Sequence, residues 1–453
     1  MLFVDPLFLV FLAMAVPLNY AIRAKHALHK AFILIVSWIF FVANDPGAFL
    51  LFLTVMAANF PLLTTISATR NSRTAHIILL LCVFLNLSIL IWFKYIDFFA
   101  GLWGIKIGGQ KWIPLAISFY LFHIISYAID LFKRKIYITS AVDYIIYLSF
   151  FPHLLAGPIV RGPQLIPQIT EPLKSNRFDW SGGVYQFALG FLLKNSADRI
   201  ADVIDPYWTT ASPPLSSSDH WLVAILYSAQ IFSDFAGYSF LAMWMAKLLG
   251  YELPENFNAP YLARSFREFW YRWHITLSAF LRDYLYVFAL GGNRKGTLRS
   301  TINLGVTLLL GGLWHGAALH FVCWGAIHGA ALMVERGLGI AKPHGATRPI
   351  LAALWFVIVQ LAVILAWVVF RSPDIPFAIG FLKAMFTNYS GVLSSKLIDA
   401  LVFMIPAVLH HLSRALPPAA TTFWKTTGVG AGAMLFAGLM TWDIGHGFIY
   451  FKF

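Results

Sequence analysis

The chain has 453 residues, of which 59% are hydrophobic, 17% aromatic and only 12% charged, and its formal net charge is +13. Soluble domains carry charge on about a quarter of their residues, so this composition excludes an ordinary soluble fold and favours a membrane protein with many spans. Basic residues that collect in cytoplasmic loops beside anionic lipid explain the positive charge, and no basic repeat in the sequence favours nucleic-acid binding.

The N-terminal part consists of apolar runs separated by short charged loops. The first run begins without a basic segment before it, which predicts a membrane helix rather than a cleaved signal peptide. Up to residue 135, successive loops are expected on alternate sides of the membrane. The loops on one side hold eight basic residues and those on the other side hold three. The positive-inside rule therefore predicts an N-terminus on the outer side and a cytoplasmic cluster at residues 133–135.

Apolar runs of helix-spanning length continue to the end of the chain. Runs of about 20 residues, rather than alternating segments of ~10 residues, predict an all-α polytopic bundle of about eleven membrane segments. No internal repeat or appended soluble domain interrupts these runs, so residues 1–453 are interpreted as a single membrane domain.

The middle of the chain departs from this pattern in three places. The density of Gly and Pro within residues 151–167 predicts an irregular segment. Residues 182–204 mix charged and apolar side chains and predict an interfacial helix. Asp234 lies inside an apolar run, and since buried charges are usually paired, pairing with a basic neighbour is favoured over a polar cavity.

Charged and aromatic residues crowd the segment 264–299, which contains seven basic and two acidic residues. At helical spacing, one broad face would carry Phe266, Trp270, Trp273 and Leu277. The pattern predicts helices that lie in the membrane interface, or re-entrant segments packed in protein. A snorkelling interfacial helix without any chemistry explains the same composition equally well.

The following apolar segment, residues 301–334, is interpreted as one span that carries His315, His320 and His328. Ionisable groups at membrane depth are costly, and by default they mark a functional site or a lined cavity. Pairs of glycines four residues apart in this segment predict close approach of helix backbones. These pairs are Gly312 with Gly316 and Gly325 with Gly329.

Histidine spacing argues against a metal site. Common ligand pairs on a helix lie three or four residues apart, whereas His315, His320 and His328 are separated by five and eight residues. The sequence also lacks the G-x-S-x-G of serine hydrolases and the phosphate-binding loop of nucleotide-driven pumps. Cys82 and Cys323 lie in apolar runs and are interpreted as small hydrophobic residues.

A neutral histidine acting as a general base fits the chemistry that remains. Transfer of an acyl group from a thioester to a hydroxyl requires a base at the hydroxyl, hydrogen-bond donors for the oxyanion and exclusion of water. The periodicity of the segment does not say which histidine supplies the base. For each of them, a packed residue without a catalytic role is the alternative.

Eight runs, spread in order over both halves of the chain, resemble a known family. They are IPLAISFYLFHIISYAIDLFKRK (113–135), FPHLLAGPIVRGPQL (151–165), FSDFAGYS (232–239), PENFNAPYLARSFREFWYRWHITLS (254–278), RDYLYVFALGGNRKG (282–296), GGLWHGAALHFVCWGAIHG (311–329), WVVFRS (367–372) and FIYFKF (448–453). In these runs the chain resembles the membrane-bound O-acyltransferase family, and more narrowly its branch of alginate O-acetyltransferases, with a catalytic core at about residues 113–334.

The resemblance implies roles for two histidines. His315, in a W-H-G motif, matches the catalytic histidine of the family and would act as base or acyl relay. His274, in R-W-H, matches the second active-site position and would position the donor or steady developing charge. In the family, helices surround a funnel that joins the two membrane faces at the histidine, and the GGNRKG loop would face the cytoplasm, where a thioester arrives.

Other residues of these runs are candidates for the donor site. The two tryptophans are expected to shape the cavity wall, and among the arginines an ion pair is favoured for Arg272 and Arg282 over contact with donor phosphates. The candidates are Trp314, Trp273, Arg267, Arg272, Arg282, Asn293, Arg294 and Lys295. His320 and His328 are expected to be structural.

The implied function is transfer of an acetyl or short acyl group to hydroxyls of an exported polysaccharide at the bacterial inner membrane. The donor would be acetyl-CoA or an acyl carrier protein, and no bound cofactor is expected. The acyl group would pass directly or through a periplasmic acetyltransferase or esterase-like partner, beside a polysaccharide synthase complex.

Three alternatives stay open. The first is transfer of D-alanyl or another acyl group to a cell-envelope polymer. The second is a transport or channel component, which is disfavoured because the chain lacks paired discontinuous helices in two matching halves. The third is an assembly subunit that docks a periplasmic transferase.

Overall fold

The computed structural model describes residues 5–416, except 106, 108–111, 139, 156, 173–179, 210–214, 295, 341–348 and 390–392, together with residues 432, 434, 435 and 438. All regular elements in these ranges are helices, which confirms the predicted all-α class. The terminal FIYFKF motif lies outside the described residues, as does most of an apolar run at 428–442.

The chain divides into two compact units, of which the first comprises Met1–Gly183 and Leu241–Pro254. A short π-helix, Ile91–Tyr95, links two of its helices. The helices are α1 (Pro6–Ile22), α2 (His26–Asn44), α3 (Pro46–Ala68), α4 (Ser72–Leu90), α5 (Ile96–Leu102), α6 (Ile117–Phe132), α7 (Ala141–Ser149), α8 (Phe151–Leu154) and α9 (Gly162–Thr170).

The second unit comprises Val184–Phe240 and Glu255–Phe453. Helices α10 (Trp180–Ile204) and α11 (Ser217–Leu248) contribute most of their residues to it. The others are α12 (Phe266–Arg272), α13 (Ile275–Phe280), a π-helix (Leu281–Ala289), α14 (Gly296–His315), α15 (Leu319–Gly337), α16 (Pro349–Arg371), α17 (Ile375–Thr387), α18 (Ser395–Asp399) and α19 (Ile405–Ala415). Single 3₁₀ turns lie at Asp205–Trp208, Pro260–Leu262 and Ala400–Met404.

Within the described residues, five helical stretches are long and apolar enough to cross a membrane. They are His26–Asn44, Pro46–Ala68, Ser72–Leu102, Pro349–Arg371 and Ser395–Ala415. A bilayer core needs about 20 apolar residues per span, so these stretches support a polytopic helical membrane protein. The figure of eleven segments stays a prediction.

The Gly- and Pro-rich segment at 151–167 is broken, as expected, but less irregular than predicted. Helices α8 and α9 occupy most of it, with Gly157 between them at φ 117°. A Cβ at Gly157 would lie 2.9 Å from the Cβ of Ala242. Glycine is therefore needed here both for the backbone conformation and for the close approach.

Helix α10 is deeply buried, so its predicted interfacial setting is wrong. The Lys194 side chain is 0% exposed and forms ion pairs with Asp198 and, at 3.2 Å, with Asp234. Its ammonium also lies 5.6 Å from the centre of the Tyr238 ring. The pairing predicted for Asp234 is confirmed, and it explains the error, because mutual neutralisation lets charged residues leave the interface.

The helix expected to run through residues 266–277 stops at Arg272. Trp273 is extended (φ −97°, ψ 127°) and His274 is left-handed (φ 41°, ψ 55°) before α13 begins. The face predicted to join Phe266 to Leu277 by helical spacing is therefore wrong beyond the break. Short helices packed within protein take its place.

The span predicted at 301–334 is two helices, α14 and α15, which pack against each other. Their close approach depends on glycine, as predicted. A Cβ at Gly312 would lie 2.2 Å from the Phe321 carbonyl oxygen, and one at Gly325 would lie 2.4 Å from that of Leu308. The chain turns back between these helices, which places His315 at the end of α14 instead of mid-span.

Candidate active site

The break between α12 and α13 places His274 in a conformation that few residues other than glycine adopt. Left-handed backbone outside glycine costs about 1–3 kcal/mol and persists only where the surroundings enforce it. Here the segment after Pro254 enforces it, because the Ile275 amide donates to the Asn256 carbonyl at 2.9 Å. The Asn258 amide likewise donates to the Arg272 carbonyl at 2.9 Å.

The His274 imidazole is buried, with 1% of the residue exposed. Its Nδ1 lies 3.1 Å from the Asn256 Oδ1. Among the described residues, its Nε2 has no hydrogen-bond partner. Buried polar atoms are usually hydrogen-bonded, so this nitrogen is available to a hydrogen-bonding group of a bound ligand.

His315 ends α14 and is enclosed by aromatic rings. Its ring centre lies 5.0 Å from that of Trp314, 5.1 Å from that of Trp324 and 5.3 Å from that of Phe370. The Trp314 ring is also 6.2 Å from the His274 ring. The structure thus brings both predicted catalytic histidines to one indole, although 41 residues separate them in the chain.

The other two histidines of the hairpin have different surroundings. His328 is caged by four rings, at 5.8 Å from Phe269, 5.1 Å from Trp270, 4.8 Å from Trp324 and 6.5 Å from Trp367. Neither of its ring nitrogens has a hydrogen-bond partner in the described part of the chain. His320 opens α15, and its ring lies 4.1 Å from that of Phe321.

The predicted tryptophans lie in this aromatic cluster and are both buried. Trp273 stacks on Phe269 at 5.7 Å and contacts Trp367 at 4.8 Å. Trp314 lies between the two candidate histidines. Trp273 and Trp314 therefore enclose the histidine cluster, but neither is among the residues that line the adjoining cavity.

A cavity of about 580 Å³ opens beside the cluster, within the range of small-molecule sites. Its walls come from α12, α13, the second π-helix, α14 and α15. The polar lining residues are Arg267, Tyr271, Ser278, Arg282, Tyr286, Asn293, Thr307, Glu335 and Arg336, and the apolar ones include Trp270, Ile275 and Leu308. A largely apolar cavity that also carries three arginines suits a ligand with an apolar part and an anionic end.

The three arginines of the cavity are held in place by oxygen atoms. Arg336 donates to the Ser300 Oγ at 2.7 Å, Arg282 pairs with Asp283 at 2.7 Å, and Arg267 lies 3.4 Å from the Tyr271 hydroxyl. The hydrogen bond from Arg267 lowers the pKa of Tyr271. The hydrogen bond to Asp283 raises the pKa of Arg282, so this group stays charged.

The remaining donor-site candidates are divided by the structure. Arg272 and Arg282 form the expected ion pairs, the former with Glu268 at 2.8 Å. Asn293 lines the cavity and accepts from the Tyr286 hydroxyl at 2.6 Å. Arg294 is exposed and lies outside the lining. Lys295 lies outside the described residues.

Sequence reasoning missed Asn256, Arg336 and Glu335. Glu335 accepts from the amides of Phe266 and Arg267 at 2.6 and 3.1 Å and so caps α12. No local pattern signals a cap supplied from 69 residues away. Asn256 lies within the PENFNAPY run, and its polar side-chain amide was the feature of the sequence that could have pointed to it.

The cavity and the histidines are connected through tryptophans. Trp270 lines the cavity and contacts Trp324 at 5.7 Å. Trp324 in turn contacts His315 at 5.1 Å. On the other side, Ile275 lines the cavity and directly follows His274. Two side chains, Trp270 and Trp324, thus separate a ligand in the cavity from the His315 imidazole, and the residue that follows His274 lines the cavity.

The sequence profile of the membrane-bound O-acyltransferase family matches residues 78–372, which is 295 of the 453 residues. The chain belongs to this family. The predicted family and enzyme class are therefore confirmed.

Individual relatives indicate which branch of the family the chain resembles in sequence. The chain is 38% identical to the probable alginate O-acetylase of Pseudomonas aeruginosa over 371 residues, which cover 78% of this chain and 69% of that protein. It is 36% identical to the probable alginate O-acetylase of Azotobacter vinelandii, covering 85% and 78%. It is 33% identical to the peptidoglycan O-acetyltransferase of Helicobacter pylori, covering 85% and 80%. These relatives support the predicted alginate O-acetylase-like branch.

Proposed function

We propose that this membrane O-acyltransferase moves an acetyl or other short acyl group from a cytoplasmic thioester to hydroxyls of an exported polysaccharide at the bacterial inner membrane. Two of the relatives are named as a probable alginate O-acetylase and a peptidoglycan O-acetyltransferase, so both names specify O-acetylation of a polysaccharide. The observation that carries the proposal is that two buried histidines contact Trp314, near a cavity whose lining includes three arginines.

The cavity is the proposed donor site. Acetyl-CoA and a carrier protein both present a thioester on an arm that carries phosphate. Arginine binds phosphate oxygens through charge-assisted, often bidentate hydrogen bonds. Arg267 and Arg336 supply such groups beside an apolar wall formed by Leu304, Leu308 and Leu332, and this combination fits an arm with a charged end and an apolar stem.

His315 is the proposed general base. Its Nε2 or Nδ1 takes the proton of the acceptor hydroxyl while the hydroxyl oxygen attacks the thioester carbonyl carbon. The tetrahedral intermediate then collapses, the carbon–sulfur bond breaks, and the departing thiolate takes the proton back from the imidazole. The enclosing rings of Trp314, Trp324 and Phe370 keep water away, which protects the thioester from hydrolysis.

The acceptor can be the polysaccharide itself or a hydroxyl on a periplasmic partner that completes the transfer. Both options use the same proton transfer at His315, and both leave the acyl group on the outer side. The donor can likewise be acetyl-CoA or an acetylated carrier protein. These choices define the arms of the assay.

The test is acyl transfer by the purified protein in lipid nanodiscs, with labelled acetyl-CoA or labelled acetyl carrier protein as donor. The acceptor is an alginate or peptidoglycan oligosaccharide, alone or together with a periplasmic acetyltransferase. We expect His315→Ala to lower kcat by about 10²–10⁴-fold, the usual contribution of a general base. His320→Ala, five residues further on, is the matched control and should stay within about threefold, since its ring lies outside the Trp314 contact. Full transfer by His315→Ala would refute the assignment.

A further inference from the structure

We infer that Asn256 is a positioning residue that holds His274 in the tautomer with its proton on Nδ1, so that Nε2 presents a lone pair to a hydrogen-bond donor of the substrate. This inference rests on the proposed function, because it assumes that His274 contacts the reacting molecules. It goes further in assigning the direction of the hydrogen bond that His274 makes with them.

The orientation of the Asn256 amide is determined by its neighbours. A backbone N–H can only donate, and the Thr276 amide lies 3.3 Å from one of the two terminal atoms of the Asn256 side chain. That atom must therefore be the carbonyl oxygen Oδ1. The Thr276 hydroxyl lies 2.8 Å from the same atom. On the opposite side, the Asn256 Nδ2 donates to the Ser239 Oγ at 3.1 Å.

The oriented amide in turn determines the protonation of the ring. The Oδ1 atom accepts and cannot donate, so the His274 Nδ1 at 3.1 Å must carry a hydrogen. In a neutral imidazole the other nitrogen then bears the lone pair. That nitrogen, Nε2, is buried and has no partner among the described residues. The ring is thus an acceptor aimed at a position that a substrate would fill.

The backbone supports the same arrangement. The Asn256 carbonyl accepts from the Ile275 amide at 2.9 Å, directly after the left-handed His274. Asn256 therefore holds the left-handed backbone at His274 through its carbonyl and the His274 Nδ1 through its side chain. Phe235 and Phe257 contact the imidazole at 5.3 and 6.1 Å and limit its rotation. An imidazole held by these contacts keeps a single tautomer and a single direction for Nε2.

This geometry corrects one of the two roles expected for His274. A group that steadies an oxyanion must donate a hydrogen bond, and a lone pair at Nε2 cannot do so. A group that positions a substrate can accept from its hydroxyl or amide. The acceptor direction therefore assigns His274 to the positioning of an O–H or N–H group, and oxyanion stabilisation falls to other donors.

The test compares two substitutions of Asn256 in the nanodisc assay with labelled acetyl thioester. Asn256→Leu has a similar shape but removes the acceptor, and we expect kcat to fall about 10²-fold with the donor KM within threefold. Asn256→Asp keeps an acceptor oxygen opposite Nδ1 and opposite Thr276, and we expect it to restore kcat to within about tenfold of the wild type. Nuclear magnetic resonance of ¹⁵N-histidine-labelled protein, with His274→Gln for assignment, should show Nδ1 protonated and Nε2 unprotonated.

The outcomes separate the inference from the proposed function. Absence of transfer by the wild type with both thioesters would refute the proposed function. Wild-type transfer together with unchanged kcat in Asn256→Leu, or with equal losses in Asn256→Leu and Asn256→Asp, would overturn the inference and leave the function standing. If Asn256→Leu does not fold, the resonance measurement on the wild type decides, and a proton on Nε2 would overturn the inference.

Discussion

His274 and His328 are both 1% exposed and both lie against tryptophan, yet their surroundings differ in kind. His274 sits at a backbone break, with one nitrogen on Asn256 and the other directed away from it. His328 sits inside a regular helix, among four rings and without a hydrogen bond in the described residues. Burial of a histidine in a membrane protein thus does not by itself identify chemistry, and the hydrogen bond that orients one nitrogen is what distinguishes His274 from His328.

The strongest way to break this comparison is to make the same substitution at both positions. His274→Phe removes the oriented acceptor, and we expect kcat to fall about 10²-fold or more, as for a lost acid–base or positioning group. His328→Phe keeps an aromatic ring in an aromatic cage and breaks no hydrogen bond to any residue that the structure describes, so kcat should stay within about threefold. Both are measured as acyl transfer by purified protein, with thermal stability as the check on folding.

The result that would contradict the comparison is a large loss of kcat in His328→Phe without loss of stability. His328 would then take part in the reaction, and the aromatic cage would be part of the active site. Similar modest effects at both positions would show that the orientation by Asn256 has no consequence for catalysis.

Sequence reasoning reached the class of fold because apolar runs of spanning length report it directly. It could not resolve the hairpin at 301–334, because both helices and their connection are equally apolar. The turn at residues 316–318 depends on contacts between distant residues, such as Gly312 against the Phe321 carbonyl. A one-dimensional pattern contains no sign of which small residues lie in a turn and which lie in a helix contact.

The candidate site, like the fold, was predictable from the sequence only in part. The motifs around His274 and His315 singled out both residues, but spacing alone could not separate His315 from His320 and His328. The three histidines differ in the rings that surround them, and those rings come from α12, α14, α15 and α16. Arg336 was missed for the same reason, since it reaches the cavity from the end of α15 through a bond to Ser300 on α14.

A second experiment sharpens the comparison by disturbing α15, which carries His328, without touching the residues around His274. A Cβ at Gly325 would clash with the Leu308 carbonyl, at 2.4 Å. We expect Gly325→Ala to destabilise the protein by about 1–3 kcal/mol, as overpacking does. Its thermal midpoint in detergent should fall, while the folded fraction keeps more transfer activity than His274→Phe.

Gly337→Ala is the matched control on the same helix, because a Cβ there meets nothing within 4 Å. It should raise stability slightly, by up to about 1 kcal/mol of helix propensity. Equal midpoints for the two variants would mean that α14 and α15 do not pack as closely as described. Complete loss of transfer by well-folded Gly325→Ala would tie the His328 side of the cluster to the chemistry.

The smallest effect expected is on binding rather than on the chemical step. Arg267 lines the cavity whose wall includes Trp270, a ring of the His328 cage. If the His328 cage only supports the donor cavity, Arg267→Gln should raise the KM for the thioester about tenfold, which is equivalent to about 1.4 kcal/mol. The kcat of this variant should stay within about threefold of the wild-type value. A hydrogen bond to a charged group contributes about this much, and added salt should reduce the difference from the wild type because it screens exposed charges.

Arg264→Gln separates recognition in the cavity from general surface charge. Arg264 is exposed, lies two residues before the start of α12 and is not among the residues that line the cavity. The KM of Arg264→Gln for the thioester should therefore match that of the wild type. Equal increases in both variants would mean that the donor senses the basic surface as a whole. An unchanged KM in Arg267→Gln would remove the cavity from donor binding, and the aromatic cage of His328 would then support no donor site.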